Sequence, residues 1–470
     1  MSDKDSRLPL SSKLLYGVGY IPDSLLNNTF FAMIMLAYKV EFGLAATLIS
    51  LAMAVPRIYE AFADPFFGNL SDKTRSRWGR RRPFLAFGSV MGGICCVALW
   101  APPAGLGQNA LFSWLLIVAL LYFTAYAIYT VPFMALGLGM TSDEKDRSSL
   151  MGFRVAANNL MLCTIVPMAP MCIYNGWLGS TPAESLRSIG LVLGGLVAGI
   201  GLFVAIFIDE GEPPAQEAGK PQKSHGLIDG IKTACSSRPF LMVTGIVSFT
   251  LISLGAVMSL STFLGLSIIF PGGTGIEKKA VTQLSFVSGV VSNAAGMLFS
   301  PFVGKVCTRI GRKRLLTIAL CNISLAFLLT PVLFSRQYPY LFLIFTTMVI
   351  LSLSCVWVVT LGMLADVCDL DEIQNGERRE GIFSSIFNWG IKVAMSVSSV
   401  MAGIAIDWSG FSAALTSQSE FTIGFLRWFF ALGPIPFFAA SIYLVCIFPL
   451  SPEKIKELRL EKEKNAIPQP

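Results

Sequence analysis

The chain has 470 residues, of which 54% are hydrophobic and only 14% charged, a balance too apolar for a soluble domain of this length. Its net charge of +7 comes from 36 Lys and Arg gathered mainly into short turns between apolar runs, which argues against nucleic-acid binding. The ten cysteines show no metal-type or redox spacing, and the single histidine, His225, lies in a polar stretch, so a proton carrier inside the membrane has to be a carboxylate.

Apolar runs long enough to span a bilayer recur about twelve times. The first starts near Leu14, behind a polar segment with Lys4, Arg7 and Lys13, and is too long for a signal-peptide core. It carries Asp23 and Asn27, four residues apart on one helix face. The second, from Leu44, holds Arg57, Glu60 and Asp64 on one face and ends in a basic turn through Asp72, Arg80 and Arg81. A charge at the bilayer centre costs about 2.5–3.5 kcal/mol on insertion scales, so these three residues imply partners, a cavity and a function. Runs from Phe84, Leu111, Met151 and Ile189 follow, with Tyr126 and Thr130 in the fourth and Arg154 and Asn158 in the fifth.

Residues 209–238 are polar and rich in Pro and Gly and read as a cytosolic linker. They separate an N-terminal half, 1–208, from a C-terminal half, 239–450, with a cytosolic tail at 451–470. The second half opens with runs from Pro239 and Ala280. There Ser300-Pro-Phe-Val-Gly304 echoes Asp64-Pro-Phe-Phe-Gly68, and Gly311-Arg-Lys-Arg314 echoes the basic turn after the second run. The echo points to duplication, with the carboxylate kept in one copy only. Runs from Leu315, Tyr340, Ile382 and Phe421 complete the chain, bringing Trp357 and a polar stripe of Ser384, Asn388, Lys392 and Ser396. The expected fold is an all-α membrane protein of twelve transmembrane helices in two six-helix, pseudo-symmetric halves. The distribution of Lys and Arg puts both termini in the cytosol. Basic turns at Asp72–Arg81 and Gly311–Arg314 then face the same compartment as acidic turns at Asp143–Asp146 and Asp366–Glu380, so Asp72, Arg80 and Arg81 are candidates for a breakable cytosolic gate; ordinary juxtamembrane charge is the alternative.

The second-helix block Asp64-Pro-x-x-Gly followed by Arg75-Ser-Arg77-Trp78-Gly79-Arg80 resembles the glycoside-pentoside-hexuronide:cation symporters of the major facilitator superfamily, the branch of melibiose permease. Gly17-Val-Gly-Tyr-Ile-Pro-Asp23, Val131-Pro132-Phe133, Ala365-Asp366-Val-Cys-Asp369, Gly376-Glu-Arg-Arg-Glu-Gly381 and Lys392 extend the likeness over nearly the whole chain. The resemblance implies symport of a sugar or glycoside with H+ or Na+ across a bacterial inner (plasma) membrane. It implies a substrate site at Asp23, Arg154, Trp357 and Lys392, and a cation site at Glu60 and Asp64. Four departures bear on ion and sugar: Thr130 stands where that branch has an aspartate, Met134 where it has an aromatic, Ala127 where it has a hydroxyl, and Glu60 where it more usually has an aspartate.

The residues themselves allow a consistent chemistry. Two carboxylates at i and i+4 in a poorly solvated cavity cannot both stay charged without a proton or a cation between them. Glu60 and Asp64 therefore read as the coupling site, to which Thr130 can add a hydroxyl for Na+; a purely structural ion pair with Arg57 is the alternative. Lys392 can stand in for the cation when the site lacks one. A sugar needs hydrogen-bonding groups for its hydroxyls and an aromatic plate for its C–H faces, supplied by Asp23, Asn27, Arg154, Asn158, Asn388 and Lys392 with Trp357, Trp389 or Tyr126. No phosphate-binding loop, metal cluster or nucleophile–base pair is present, so neither catalysis nor a cofactor is expected, and the partners are a small sugar and the lipid bilayer, with the protein a monomer. The rival readings are a lysophospholipid symporter of the same fold and a non-transporting membrane sensor.

Overall fold

The structure is a computed structural model that describes residues 8–140, 144–210, 236–264, 269, 275–375, 380–411 and 418–449. Most of the proposed linker and tail, His225 and the 376–379 turn lie outside these residues. A lipid environment offers no partner to an open backbone, and every long element is a helix. In chain order these are α1 (Leu10–Met35), which runs on into a π-helical turn at Leu36–Glu41, then α2 (Ala46–Lys73), α3 (Arg82–Trp100), α4 (Gln108–Gly139), α5 (Glu144–Cys163), α6 (Ile165–Asn175) and α7 (Pro182–Phe207). The second half contributes α8 (Arg238–Leu264), α9 (Gly275–Ile310), α10 (Arg312–Leu328), the short α11 (Thr330–Leu333), α12 (Phe342–Asn375), α13 (Glu380–Trp408), α14 (Glu420–Leu432) and α15 (Ile435–Ile447).

Among the described residues, ten stretches are long and apolar enough to cross a membrane, with α5–α6 and α14–α15 each counting as one broken span. Neither α1 nor α10 is among them. In α1 the polar Asp23, Asn27 and Asn28 dilute the apolar run, while α10 is a 17-residue helix that α11 prolongs. The breaks have local causes: Pro167 cannot donate to the last turn of α5, and Gly433-Pro434 stops α14.

Helices within a half pack through small residues, which let backbones approach where no hydrophobic force drives association. Between α3 and α7 the contact is almost backbone to backbone: a Cβ on Gly93 would lie 2.6 Å from the carbonyl oxygen of Gly194, and one on Gly194 2.5 Å from that of Gly93. The two halves meet mainly along two seams, α2 against α13 and the broken span α5–α6 against α9. Ser396 donates to the Ala54 carbonyl across the first seam, and Asn293 to the Leu162 carbonyl across the second. Both contacts lie between the middle of the helices and the face opposite the termini.

The duplication read from the two basic turns is visible as geometry. Arg81 donates to the Ala135 carbonyl of α4, and Arg312 to the Gly362 carbonyl of α12. Arg82 holds the last carbonyls of α7, Ala205 and Ile206, as Lys313 holds that of Phe448 after α15. The structural register pairs Arg81 with Arg312, one residue away from the register that aligning Gly79 with Gly311 gives. Hydrogen-bond geometry, rather than the glycine, sets the correspondence.

Candidate functional site

Four charged side chains from two halves meet at the middle of the α2–α13 seam. Glu60 and Asp64 on α2 face Lys392 of α13, whereas Arg57, on the same helix, lies against α1 and α4. Arg57 Nη1 donates to Glu60 Oε2 at 2.7 Å, and both residues are buried. From α13, Lys392 Nζ lies 3.0 Å from Glu60 Oε1 and donates to Asp64 Oδ2. One ammonium therefore bridges the two carboxylates. The Arg57 guanidinium is held from its other side by the rings of Phe31 and Phe123, 4.6 and 4.9 Å from its centre, and it donates to the Asn27 side-chain oxygen. Such stacking suits a weakly hydrated guanidinium and fixes it against Glu60. The network is closed and neutral: two cations and two anions.

A second group surrounds Asp23 on α1, which is buried. Thr130 Oγ1 donates to Asp23 Oδ1 at 2.6 Å, and the hydroxyls of Tyr20 and Tyr126 face the same carboxylate. Arg154 lies over the Tyr20 ring, 4.6 Å from its centroid, with Nη2 3.5 Å from the Tyr20 hydroxyl. Tyr20 thus stands between Asp23 and Arg154.

The structure redistributes several residues expected in these sites. Thr130 joins Asp23 and not the Glu60–Asp64 pair, because α4 presents it toward α1. Asn27 serves Arg57, while Asn158 accepts from Ser24 at 3.0 Å and Asn28 at 3.5 Å, tying α5 to α1. Asn388 and Trp389 on α13 are exposed, and Trp357 packs partly buried against the apolar core of the second half. Asp72 pairs with Arg81 at 3.1 Å, and the backbone N–H groups of Arg80, Arg81 and Arg82 all donate to the Glu210 carboxylate at 2.7–2.8 Å. These contacts belong to one half and do not bridge the two. Arg312 likewise pairs with Asp366 inside the second half.

Sequence reasoning missed Tyr20, Phe31, Phe123 and Glu210. An aromatic residue in an apolar helix gives no signal of its own, although Tyr20 is three residues before Asp23 and so on its face.

Along α13 the residues on either side of Lys392 differ in exposure. Ser396, Ser399 and Ala402, toward the face opposite the termini, are buried, whereas Ser385 and Asn388, toward the termini, are exposed. On the face of α13 that carries Lys392, the seam is thus closed beyond the ion network and accessible before it.

Two helical halves closing around a buried ionic site at their seam define a membrane transporter of major facilitator architecture. The chain belongs to the MFS/sugar transport protein family, whose profile matches residues 15–452. It is 26% identical to the glucuronide carrier protein homolog of Escherichia coli (strain K12), with 94% of each chain covered. It is 24% identical to the inner membrane symporter YicJ of the same organism, over 92% of this chain and 90% of that one. The sodium-dependent lysophosphatidylcholine symporter 1 of Xenopus tropicalis is 22% identical, over 98% and 91%. Among solved structures, a bacterial homolog of the human lysosomal transporter Spinster, inward-facing and unoccupied, superposes with a TM-score of 0.67 at 13% identity, covering 94% of this chain and 98% of that one. The nucleoside transporter NupG superposes with a TM-score of 0.60 at 13% identity, covering 93% and 99%. These last two show a shared fold.

Proposed function

We propose that this protein is a symporter that moves a sugar or glycoside together with H+ or Na+ by alternating access. The observation that carries the reading is the Lys392 ammonium seated between Glu60 and Asp64. A cation is what two neighbouring carboxylates, Glu60 buried and Asp64 half-buried, require, and here it is supplied on a side chain from the opposite half. A coupling ion that takes over this role frees Lys392 to turn toward a substrate. A sodium ion replaces the ammonium charge for charge; a proton neutralises one carboxylate and weakens the hold of the other. The neighbouring group of Asp23, Tyr20, Arg154, Thr130 and Tyr126 offers the acceptor, donors and rings that a sugar needs. The name of the glucuronide carrier protein homolog agrees with that substrate class, and that of YicJ with symport.

The positive-inside rule places the termini and the basic turns in the cytosol. The opening beside Lys392 then faces inward and the seal faces out. The halves 1–208 and 239–450 rock as two bodies about the seams of α2 with α13 and of α5–α6 with α9, and residues 209–238 link them. No residue is assigned a catalytic role, and the protein acts as a monomer.

One observation favours a second reading, a lysophospholipid substrate: Met134 and Thr130 make the fourth-helix wall less polar than the acidic version of the family pattern, and a relative is named for that cargo. Uptake into proteoliposomes tests both. Accumulation of a labelled glycoside driven by an imposed Na+ or H+ gradient, competed by free sugars, supports the proposal. Competition by lysophospholipids and not by sugars replaces it with the second reading, and the absence of any gradient-driven uptake of either class overturns it.

A further inference from the structure

The seal at the face opposite the termini is built around one carboxylate that the ion site does not use. Helix α2 begins at Ala46 behind Ala45, whose side chain cannot cap it. A helix start leaves its first N–H groups without acceptors, and they favour a negative charge. Here the acceptor comes from the other half. Asp407, at the end of α13, accepts from the Thr47 N–H and the Thr47 hydroxyl at 2.7 Å each, and from the Ala46 N–H at 3.1 Å. Lys39, on the π-helical turn after α1, donates to the same carboxylate at 3.1 Å. Four donors from the first half thus converge on a single side chain of the second.

The helices behind this contact are shaped for close approach. An added Cβ on Gly403 would lie 2.1 Å from Ser50 Oγ and 2.7 Å from the Ala46 carbonyl oxygen, so the seam has no room for a side chain there. Ser396 donates to the Ala54 carbonyl two turns deeper along α13. Lys392, Ser396, Gly403 and Asp407 share one face of α13, in steps of four, seven and four. The ion site and Asp407 are therefore the two ends of one continuous contact strip, about 22 Å apart at 1.5 Å per residue.

We propose that Asp407 is a latch that holds the seal shut by capping α2 from the opposite half, and that it must let go before the site can open away from the termini. Opening that side separates Asp407 from all four donors at once and leaves the Ala46 and Thr47 N–H groups without this acceptor, while Ala45 stays bonded to Gln108 in its own half. The latch thus weights the equilibrium toward the arrangement described here. Gly403 and Ser50 allow the backbones to close far enough for the carboxylate to reach.

The test reads accessibility, which needs no knowledge of the cargo. Ser50→Cys, inside the seal, is labelled with a membrane-impermeant thiol reagent applied from the side opposite the termini, against the protein without that cysteine as background. Asp407→Ala should raise the labelling rate by about tenfold, the size expected for a lost helix cap together with an ion pair. Lys39→Gln and Thr47→Val each remove one donor and should give smaller rises, which keeps the proposal testable if Asp407→Ala folds poorly. In a second arm, oxidation of the pair Thr47→Cys and Asp407→Cys should trap the seal shut, abolishing labelling of a Ser50→Cys site, with reductant restoring it. Unchanged labelling in Asp407→Ala, Lys39→Gln and Thr47→Val overturns the latch, as does a cross-linked protein that still labels at the uncross-linked rate. Either result leaves the symport reading untouched, because no transport is measured.

Discussion

At the scale of single residues, the account rests on which charges share a partner. Asp64 is reached by Lys392 and Glu60 by both Lys392 and Arg57, so the two carboxylates are not equivalent. Asp64→Asn removes a charge yet leaves Lys392 and Arg57 with Glu60. It should abolish gradient-driven accumulation while the protein stays folded, as a retained melting transition in detergent would show. Glu60→Gln should abolish accumulation too, and should also cost stability because it strands the buried Arg57, whose remaining partners are an amide oxygen and two rings. Equal melting temperatures for the two variants would contradict this asymmetry. Thr130→Val takes one donor from the buried Asp23. Hydrogen bonds to charged groups contribute about 1.5–3 kcal/mol, so substrate affinity should fall by about tenfold or more, with the dependence on the coupling ion unchanged. A Thr130 variant that instead altered ion affinity alone would return that residue to the cation site, where its chemistry first suggested it.

At the scale of helices, the ends matter as much as the buried faces. The start of α3 carries three arginines whose backbone N–H groups all converge on Glu210, just beyond α7, so the carboxylate acts as a helix cap delivered from another element. Glu210→Ala should lower stability by about 1–2 kcal/mol, read as a fall in melting temperature, with little change in substrate affinity. Gly93→Leu should be more damaging, since the side chain would have to displace the α7 backbone. The spans themselves were legible from the sequence because twenty-residue apolar runs leave little choice in lipid, and the clustering of charge on α2 was legible because three ionisable residues in such a run require partners, though a structural ion pair and a coupling site read alike there. The position of Thr130 was not, because a hydroxyl fits beside any carboxylate and only the rotation of α4 decides which. Nor were the contacts of Asp407 and Glu210, since a carboxylate near a helix end reads as ordinary surface charge until the helix it caps, far away in sequence, is in view. The gate at Asp72, Arg80 and Arg81 was read from charge sign alone, which says that partners exist without saying in which half.

At the scale of the whole molecule, alternating access needs two seals that are not closed together, with the ion site between them. The α2–α13 seam is tight from Lys392 to Asp407, and it opens toward the termini, where Ser385 and Asn388 are exposed. Lys392 is the residue at which the two regimes meet, and it is bound to the other half only through the carboxylates that a coupling ion would claim. Binding of the ion therefore breaks a contact between halves at the same moment that it fills the site, which is how occupancy can bias the rocking equilibrium. The most direct test is to compare two fluxes in Lys392→Ala proteoliposomes: uphill accumulation driven by the coupling ion, and downhill efflux of substrate. If Lys392 is a tethered stand-in for the ion, uphill accumulation should be lost while downhill efflux survives. Loss of both in equal measure, across a series of pH values and Na+ concentrations, would make Lys392 a plain substrate ligand or structural partner and would contradict the account.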